Sequence, residues 1–329
     1  MQKSNIIGAD LSKKTIDLHC QSANVHLTIS NDLSGFKHMV GWIRQQGFQL
    51  NDVFVVMEHT GLYSSRLEDF LHANTIAFTK VNALEIKRSI GVVRGKSDKI
   101  DAKKIAMYGS EKFSKLTAYS PLEQELKRLK LLMSSKNLLV RQRAALRCSI
   151  KEYRNIGISD KDLIIKAQLT IIAGLDKSIQ KLEDDMQSII LGSVSLNNNY
   201  QLLLSIPGVG PVVALTTIIK THNFSRFDDA RKFACFAGTA PFPNESGSSI
   251  RKKTRISHLA DKQMKTLLDL AAKSAVQCDP EMKAYYQKRV ESGKSKRSSI
   301  NVVRNKIIGR MFAIIKRQTP FLHDYLAAA

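Results

Sequence analysis

Cysteine is scarce in this sequence, and acid is scarcer than base. The four cysteines (Cys20, Cys148, Cys235, Cys278) lie far apart, with no CxxC pair and no Cys/His grouping at zinc spacing. Neither a disulfide framework nor a zinc module therefore organises the chain, and the thiols read as reduced, structural groups of a cytoplasmic protein. No apolar run approaches the ~20 residues that a spanning helix needs, so no membrane partner is expected. The opening MQKSNIIGAD is too short and too soon acidic for a secretory leader. Against 51 Lys and Arg stand only 29 Asp and Glu, a formal charge of +22. That excess points to a polyanionic partner, and nucleic acid is the commonest one for a soluble chain. Hydrophobic residues make up 43% of 329, enough for two domains with real cores and a third element.

Taken in order, Asn5–Gly8 is a short apolar run ending at Asp10, and TIDLHC (15–20) and VHLTIS (25–30) alternate apolar and polar as half-buried strands do. Asp32-Leu-Ser-Gly opens a helix that stops at Gly47. VFVVM (53–57) is continuous enough to be a central strand buried on both faces, and Glu58 follows it directly. A helix near 63–72, a strand near 76–81 and a helix over 83–92 complete the series. Three strands, helix, strand, helix, strand, helix is the order of an RNase H-like sheet.

The stretch GKSDKIDA (95–102) places Asp98 and Asp101 three residues apart at a helix start, where an i, i+3 pair projects to one face and the dipole favours acids. Lys96, Lys99, Lys103 and Lys104 crowd the same stretch. A helix capped by Ser97, with solvated acids, accounts for these residues equally well. With Asp10 and Glu58 at strand ends, however, four carboxylates fall at compatible positions. Hard oxygen donors of this kind suit Mg²⁺ or Mn²⁺, and such ions support phosphoryl chemistry.

From Pro121 the texture changes. Leu122, Leu126, Leu129 and Met133 recur at helical spacing in a basic stretch to about Arg154, and a second helix carries Ile165, Ile172, Leu175, Ile179, Leu182, Met186 and Ile189 in an a/d pattern. The pair reads as a helical hairpin or coiled coil, serving either as an internal spacer or as an oligomerisation arm. Gly192–Asn199 reads as a linker. Beyond it, SIPGVGP (205–211) sets Gly208 and Gly210 before an apolar helix, so that backbone N–H groups could meet a phosphate at the helix N-terminus; a tight helix–helix turn is the plainer account. FAGTAPFPNESGSSIR (236–251) reads as a loop flanked by Arg251, Lys252, Lys253 and Arg255. From Ser246 onward 18 basic residues face 6 acidic ones, on three expected helices over 257–277, 280–291 and 298–318.

GADLSKKTIDLH, EHTGLY, GKSDKIDAKKIA, SIPGVGPVVAL and FAGTAPFPNESGSSIR, in this order, resemble the IS one-ten family of insertion-sequence transposases, DEDD-type enzymes related to Piv-type invertases. The resemblance spans nearly the whole chain. It implies a RuvC-like, RNase H-fold catalytic domain (1–118), a coiled-coil hairpin (119–192) and a helical transposase domain (200–329). It further implies that Asp10, Glu58, Asp98 and Asp101 are the Mg²⁺-binding (or Mn²⁺-binding) acids and Ser246, after Glu245, the nucleophile. The partners implied are donor and target DNA, a structured bridge RNA, and further copies of the chain as a dimer pairing into a tetramer. His59 and Phe242-Pro-Asn depart from the family pattern and put local DNA contacts in doubt. Two other functions remain open on the residues alone. One is a metal-dependent resolvase or nuclease that uses water, with Ser246 incidental. The other is a non-catalytic nucleic-acid-binding protein with structural acids.

Overall fold

The computed structural model describes residues 5–59, 61–89, 91, 97–119, 122–246, 250–257 and 259–322, with residues 243–246 and 250–253 described by their backbone. Gly95 and Lys96 of the acid-bearing stretch, and Ser248 and Ser249, lie outside the described residues. The chain divides into two compact units, Met1–Pro121 and Leu122–Ala329.

In the first unit, β1 (Asn5–Leu11), β2 (Thr15–Cys20) and β3 (Val25–Ser30) form an antiparallel meander. After α1 (Leu33–Gln45) come β4 (Val53–Glu58), α2 (Ser65–Ala73) and β5 (Ala77–Val81), and both later strands run parallel to β1. The sheet order is β3-β2-β1-β4-β5, the mixed five-stranded arrangement that the strand-helix order called for. Alternation decides what each face buries. Ile7, Ala9, Val55 and Met57 join Phe36 and Met39 of α1 and Leu67 and Leu71 of α2 on one side. Ile6, Phe54 and Val56 meet Ile86 of α3 (Ala83–Ser89) and Ile105 and Tyr108 of α4 (Asp98–Lys112) on the other.

How close α4 comes to the sheet is set by Gly8 of β1. A Cβ there would stand 2.3 Å from the Ala102 carbonyl oxygen and 2.3 Å from the Ala106 nitrogen, both backbone atoms that cannot swing aside. Gly8→Ala should therefore lift α4 bodily and cost about 3 kcal/mol or more, the upper end of overpacking penalties. A melting curve that matches the wild-type one would disprove this account of the α4 contact.

The second unit begins with α5 (Gln124–Asn155) and α6 (Leu163–Gly192) packed as a hairpin. Every seventh residue of α6, namely Ile165, Ile172, Ile179 and Met186, is buried, and Ile165 and Ile172 cluster with Ile150 of α5 in the same chain. Arg128–Asp185, Lys136–Glu183 and Arg143–Asp176 pair across the two helices. Charged substitution of both Ile172 and Ile179 would thus strand two charges inside one chain, at several kcal/mol by the cost of unpaired buried charge. Loss of helical circular dichroism is the expected result. Were helicity kept and only the assembly size reduced, the seam would belong between chains instead.

Two elements differ from the sequence reading. Residues 192–199 are not a linker: Ser193 caps α7 (Val194–Leu204), its hydroxyl accepting from the Leu196 N–H. Leu196, Tyr200 and Leu203 recur at helical spacing and are buried. The Asn199 side chain, in the run of asparagines, is spent on Asn223 (2.8 Å) and Gln318 (3.3 Å). After α8 (Pro211–Thr221) and α9 (Ala230–Phe236), the expected loop is instead a hairpin of β6 (Pro241–Ser246) and β7 (Ile250–Ile256). A bulge between Phe242 and Asn244 accommodates Pro243, which has no N–H to give the ladder. The fold closes with α10 (Lys262–Cys278), α11 (Pro280–Glu291) and α12 (Lys296–Arg317). Their apolar faces, with those of α7–α9 and the base of α5, form one core around Leu203, Phe233, Leu268 and Met311.

Candidate functional site

The acids of the first unit come from three elements. Because β1 and β4 are parallel, with Ala9 level with Met57, Asp10 and Glu58 follow in line at the same carboxyl edge of the sheet. Gly8 lets α4 lie across this edge, and Ser97, whose hydroxyl accepts from the Ile100 N–H, starts the helix so that Asp98 and Asp101 fall in its first turn. The helix N-terminus favours anions there.

These carboxylates share one field. Burial, then Asp101, Asp98, Glu58 and Asp17, push the Asp10 carboxyl up to about 6. Glu58 is raised as well, by burial first and Asp101 second. Like charges drawn together in partial burial resist ionisation, and such a set is the natural seat of a cation. Lys104 supplies one local counter-charge, its Nζ 2.7 Å from Asp101 Oδ1. Among the described residues no three His, Cys, Asp or Glu side chains are gathered within reach of a single ion. In donor type the four acids suit a hard divalent ion, but their side chains are not gathered around one point, and Asp101 is turned to its lysine.

The sequence reading missed Asp17. It lies directly across the β1–β2 ladder from Asp10 and accepts from His26 Nε2 at 2.9 Å and Thr28 Oγ1 at 2.7 Å. His19, on the same face, is buried and held below the usual histidine range by burial, then Lys103, His26 and Lys99. The period-two alternation of TIDLHC carried the signal, since Asp17 and His19 share a face.

In the second unit the two glycines before α8 part company. Gly208 has φ +87°, and a Cβ would meet the Ala271 carbonyl oxygen at 2.5 Å, so packing against α10 demands this glycine. Gly210, the N-cap of α8, has open space around its Cβ position. The shallow cleft at this turn, ≈ 320 Å³, is lined by Leu204–Gly210 and Ser274, with no cation in its wall among the described residues. Ser246 ends β6 opposite Ile250, and Glu245 faces Arg251 in the register. Arg251, Lys252, Lys253 and Arg255, expected beside a loop, are strand residues of β7. Among the described residues no helix is long and apolar enough to cross a membrane.

The DEDD transposase family model matches residues 7–153, a range that contains all four acids. The model described as "Transposase IS116/IS110/IS902 family" matches residues 200–287, which contain Ser246 and the basic strand. This chain belongs to the IS116/IS110/IS902 transposase family. It is similar to the pilin gene-inverting proteins of Moraxella bovis and Moraxella lacunata, each 26% identical over 328 residues, covering 96% of this chain and 97% of theirs. It is also similar to an uncharacterized 43.6 kDa protein of insertion element IS110 from Streptomyces coelicolor, 22% identical over half of this chain and 39% of that one. As an IS116/IS110/IS902 transposase the chain is an enzyme of DNA recombination, and its DEDD domain implies use of a divalent metal.

Proposed function

We propose that this transposase cuts and rejoins DNA at an insertion-sequence end, using Asp10, Glu58, Asp98 and Asp101 as holders of Mg²⁺ or Mn²⁺ and Ser246 as the attacking group. The single observation that carries the reading is the placement of Asp10 and Glu58 just past level positions on parallel β1 and β4, with Asp98 and Asp101 in the first turn of α4. When bound, a hard divalent ion would supply positive charge to the scissile phosphate as negative charge builds there. The chain's own part is to bring carboxylates from β1, β4 and α4 to one edge, where holding an ion would require Asp101 to leave Lys104 and turn toward the other acids. Ser246 Oγ would bond to phosphorus as the bridging P–O bond to the leaving strand breaks, its proton passing to a base and the leaving oxygen taking one up. The incoming strand's hydroxyl would reverse that step and restore the serine.

Arg251, Lys252, Lys253 and Arg255 on β7 would hold backbone phosphates, with Gly210 offering the N-terminus of α8 and Gly208 setting its turn. The domain plan with a RuvC-like part (1–118), a hairpin arm (119–192) and a helical part (200–329) belongs to the same reading. So do a structured bridge RNA as guide and a dimer-to-tetramer assembly. Inversion, as named for the Moraxella relatives, is an outcome the same chemistry allows.

Titrating Mg²⁺ against strand cleavage tests the core of this. Cleavage that rises with the ion and stops on chelation supports the acid assignment. A chain that binds DNA yet never cuts at any ion concentration would leave only a binding protein.

A further inference from the structure

A second feature of the helical unit has no part in the chemistry above. Between α5, α8 and α10 lies an open cleft of ≈ 650 Å³, within the size range of pockets that hold small organic groups. Met133, Val212 and Leu267 give it an apolar floor, and Lys130 and Arg141 stand on its wall. Lys220 also lines it and is paired with Asp261 at 2.7 Å. Among the described residues no carboxylate lines the cleft.

One polar group in the wall is unexplained. Thr216 of α8 is 1% exposed, and its hydroxyl has no hydrogen-bond partner. Its neighbours settle the same problem locally: Thr217 donates to the Val213 carbonyl at 2.8 Å and Thr221 to the Thr217 carbonyl at 2.7 Å. A buried hydroxyl left unpaired is costly, and natural folds pair nearly all of them. Its place in the lining of a cleft makes a ligand acceptor the fitting partner.

Apolar floor, unpaired donor and cationic wall together describe a group with a flat apolar face, polar edges and flanking negative charge. An unstacked nucleotide has all three. We propose that this cleft is a subsite for an unpaired nucleotide of single-stranded DNA, its base over Met133, Val212 and Leu267, its phosphates near Lys130 and Arg141, and an acceptor atom of base or sugar on Thr216. DNA is the choice because the chain is a transposase, and to that extent the inference rests on the recombination reading. It does not depend on the acids or on Ser246.

The test uses the full chain and a short single-stranded DNA carrying one 2-aminopurine, read by fluorescence of that base and by anisotropy. Thr216→Val keeps the shape and removes the hydroxyl; Val212→Trp, at a 41% exposed position, fills the cleft. Thr216→Val should weaken binding by about twofold to tenfold, the worth of one hydrogen bond, and Val212→Trp, which removes the space for the base, by about tenfold or more. Thr216→Val should also melt at or above the wild-type temperature, since an unpaired buried hydroxyl has gone. Wild-type affinity in both variants overturns the proposal, as does an affinity loss in Thr216→Val that merely follows a lower melting temperature. If the RNA of the same sequence is the ligand whose binding the variants weaken, the assignment to DNA is wrong. A change in assembly size with no change in DNA affinity would give the cleft to a protein side chain instead. Failure of Mg²⁺-dependent cleavage in the wild type would sink the catalytic reading but leave these affinity differences intact.

Discussion

Asp10→Asn should abolish strand cleavage and, at the same time, make the protein harder to melt at neutral pH. The first effect follows from removing one charged oxygen donor from a set of four, expected to cost on the order of a thousandfold or more in rate, while DNA binding, which the basic elements carry, persists. The second follows from the sign of the shift. The Asp10 carboxyl titrates near 6 in the fold against 3.8 as its ordinary value, so the native state holds this proton more tightly than the unfolded chain does. Stability then falls as pH rises from about 4 to about 6 and stays lower above that window. The full shift would correspond to at most about 3 kcal/mol; with the site half open to solvent, ~1–2 kcal/mol is the reasonable gain for Asn. The gain should shrink as pH falls below about 6 and vanish only below about pH 3, where the carboxyl is protonated in both states of the wild type. Added Mg²⁺ should raise the wild-type melting temperature and leave the variant's unmoved, as expected for a ligand that binds only the intact native site. Wild-type cleavage by Asp10→Asn at ordinary Mg²⁺ would remove Asp10 from the metal site. A lower melting temperature at pH 8 would contradict the electrostatic argument independently.

Much of this first unit is legible in the sequence because its signals are local and agree with one another. Period-two alternation gives β2 and β3, the continuous run at 53–57 gives a strand covered on both faces, and Ser97 marks the start of α4 to the residue. Strand ends and a helix first turn are where isolated carboxylates can stay solvated, so Asp10, Glu58, Asp98 and Asp101 stand out. What escaped depends on partners that only the folded chain sets side by side. Asp17 gains its meaning from lying across the ladder from Asp10, and Gly208 from the α10 backbone that passes beside it. The asparagines of α7 look like linker residues until Asn199 finds Asn223 and Gln318. β7 looks like a loop flank because four cations in five residues disfavour pairing, until its partner strand sets Glu245 opposite Arg251. In each case tertiary context overrides local composition.

That hairpin frames the last expected result: Ser246→Ala should block both cleavage and joining, whereas Ser248→Ala and Ser249→Ala should keep at least part of the activity. A recombinase has to conserve the energy of the phosphodiester while strands change partners. A phosphoserine link does so, and hydrolysis by water does not. Ser246 ends β6 level with Ile250, on a strand whose partner carries Arg251, Lys252, Lys253 and Arg255 within one short segment. Guanidinium and ammonium groups are the usual holders of a phosphate anion, and a serine hydroxyl needs such surroundings or a base because it is weakly nucleophilic on its own. Wild-type protein held on a nicked substrate should therefore yield a protein–DNA adduct that survives denaturant, with the nucleotide on the peptide containing Ser246 by mass spectrometry. Ser246→Ala should give no adduct, yet should bind DNA as the wild type does and melt at the same temperature. Continued nicking by Ser246→Ala without any adduct would mean that water attacks the phosphate. The chain would then cut DNA as a metal-dependent resolvase, with its four acids still in place.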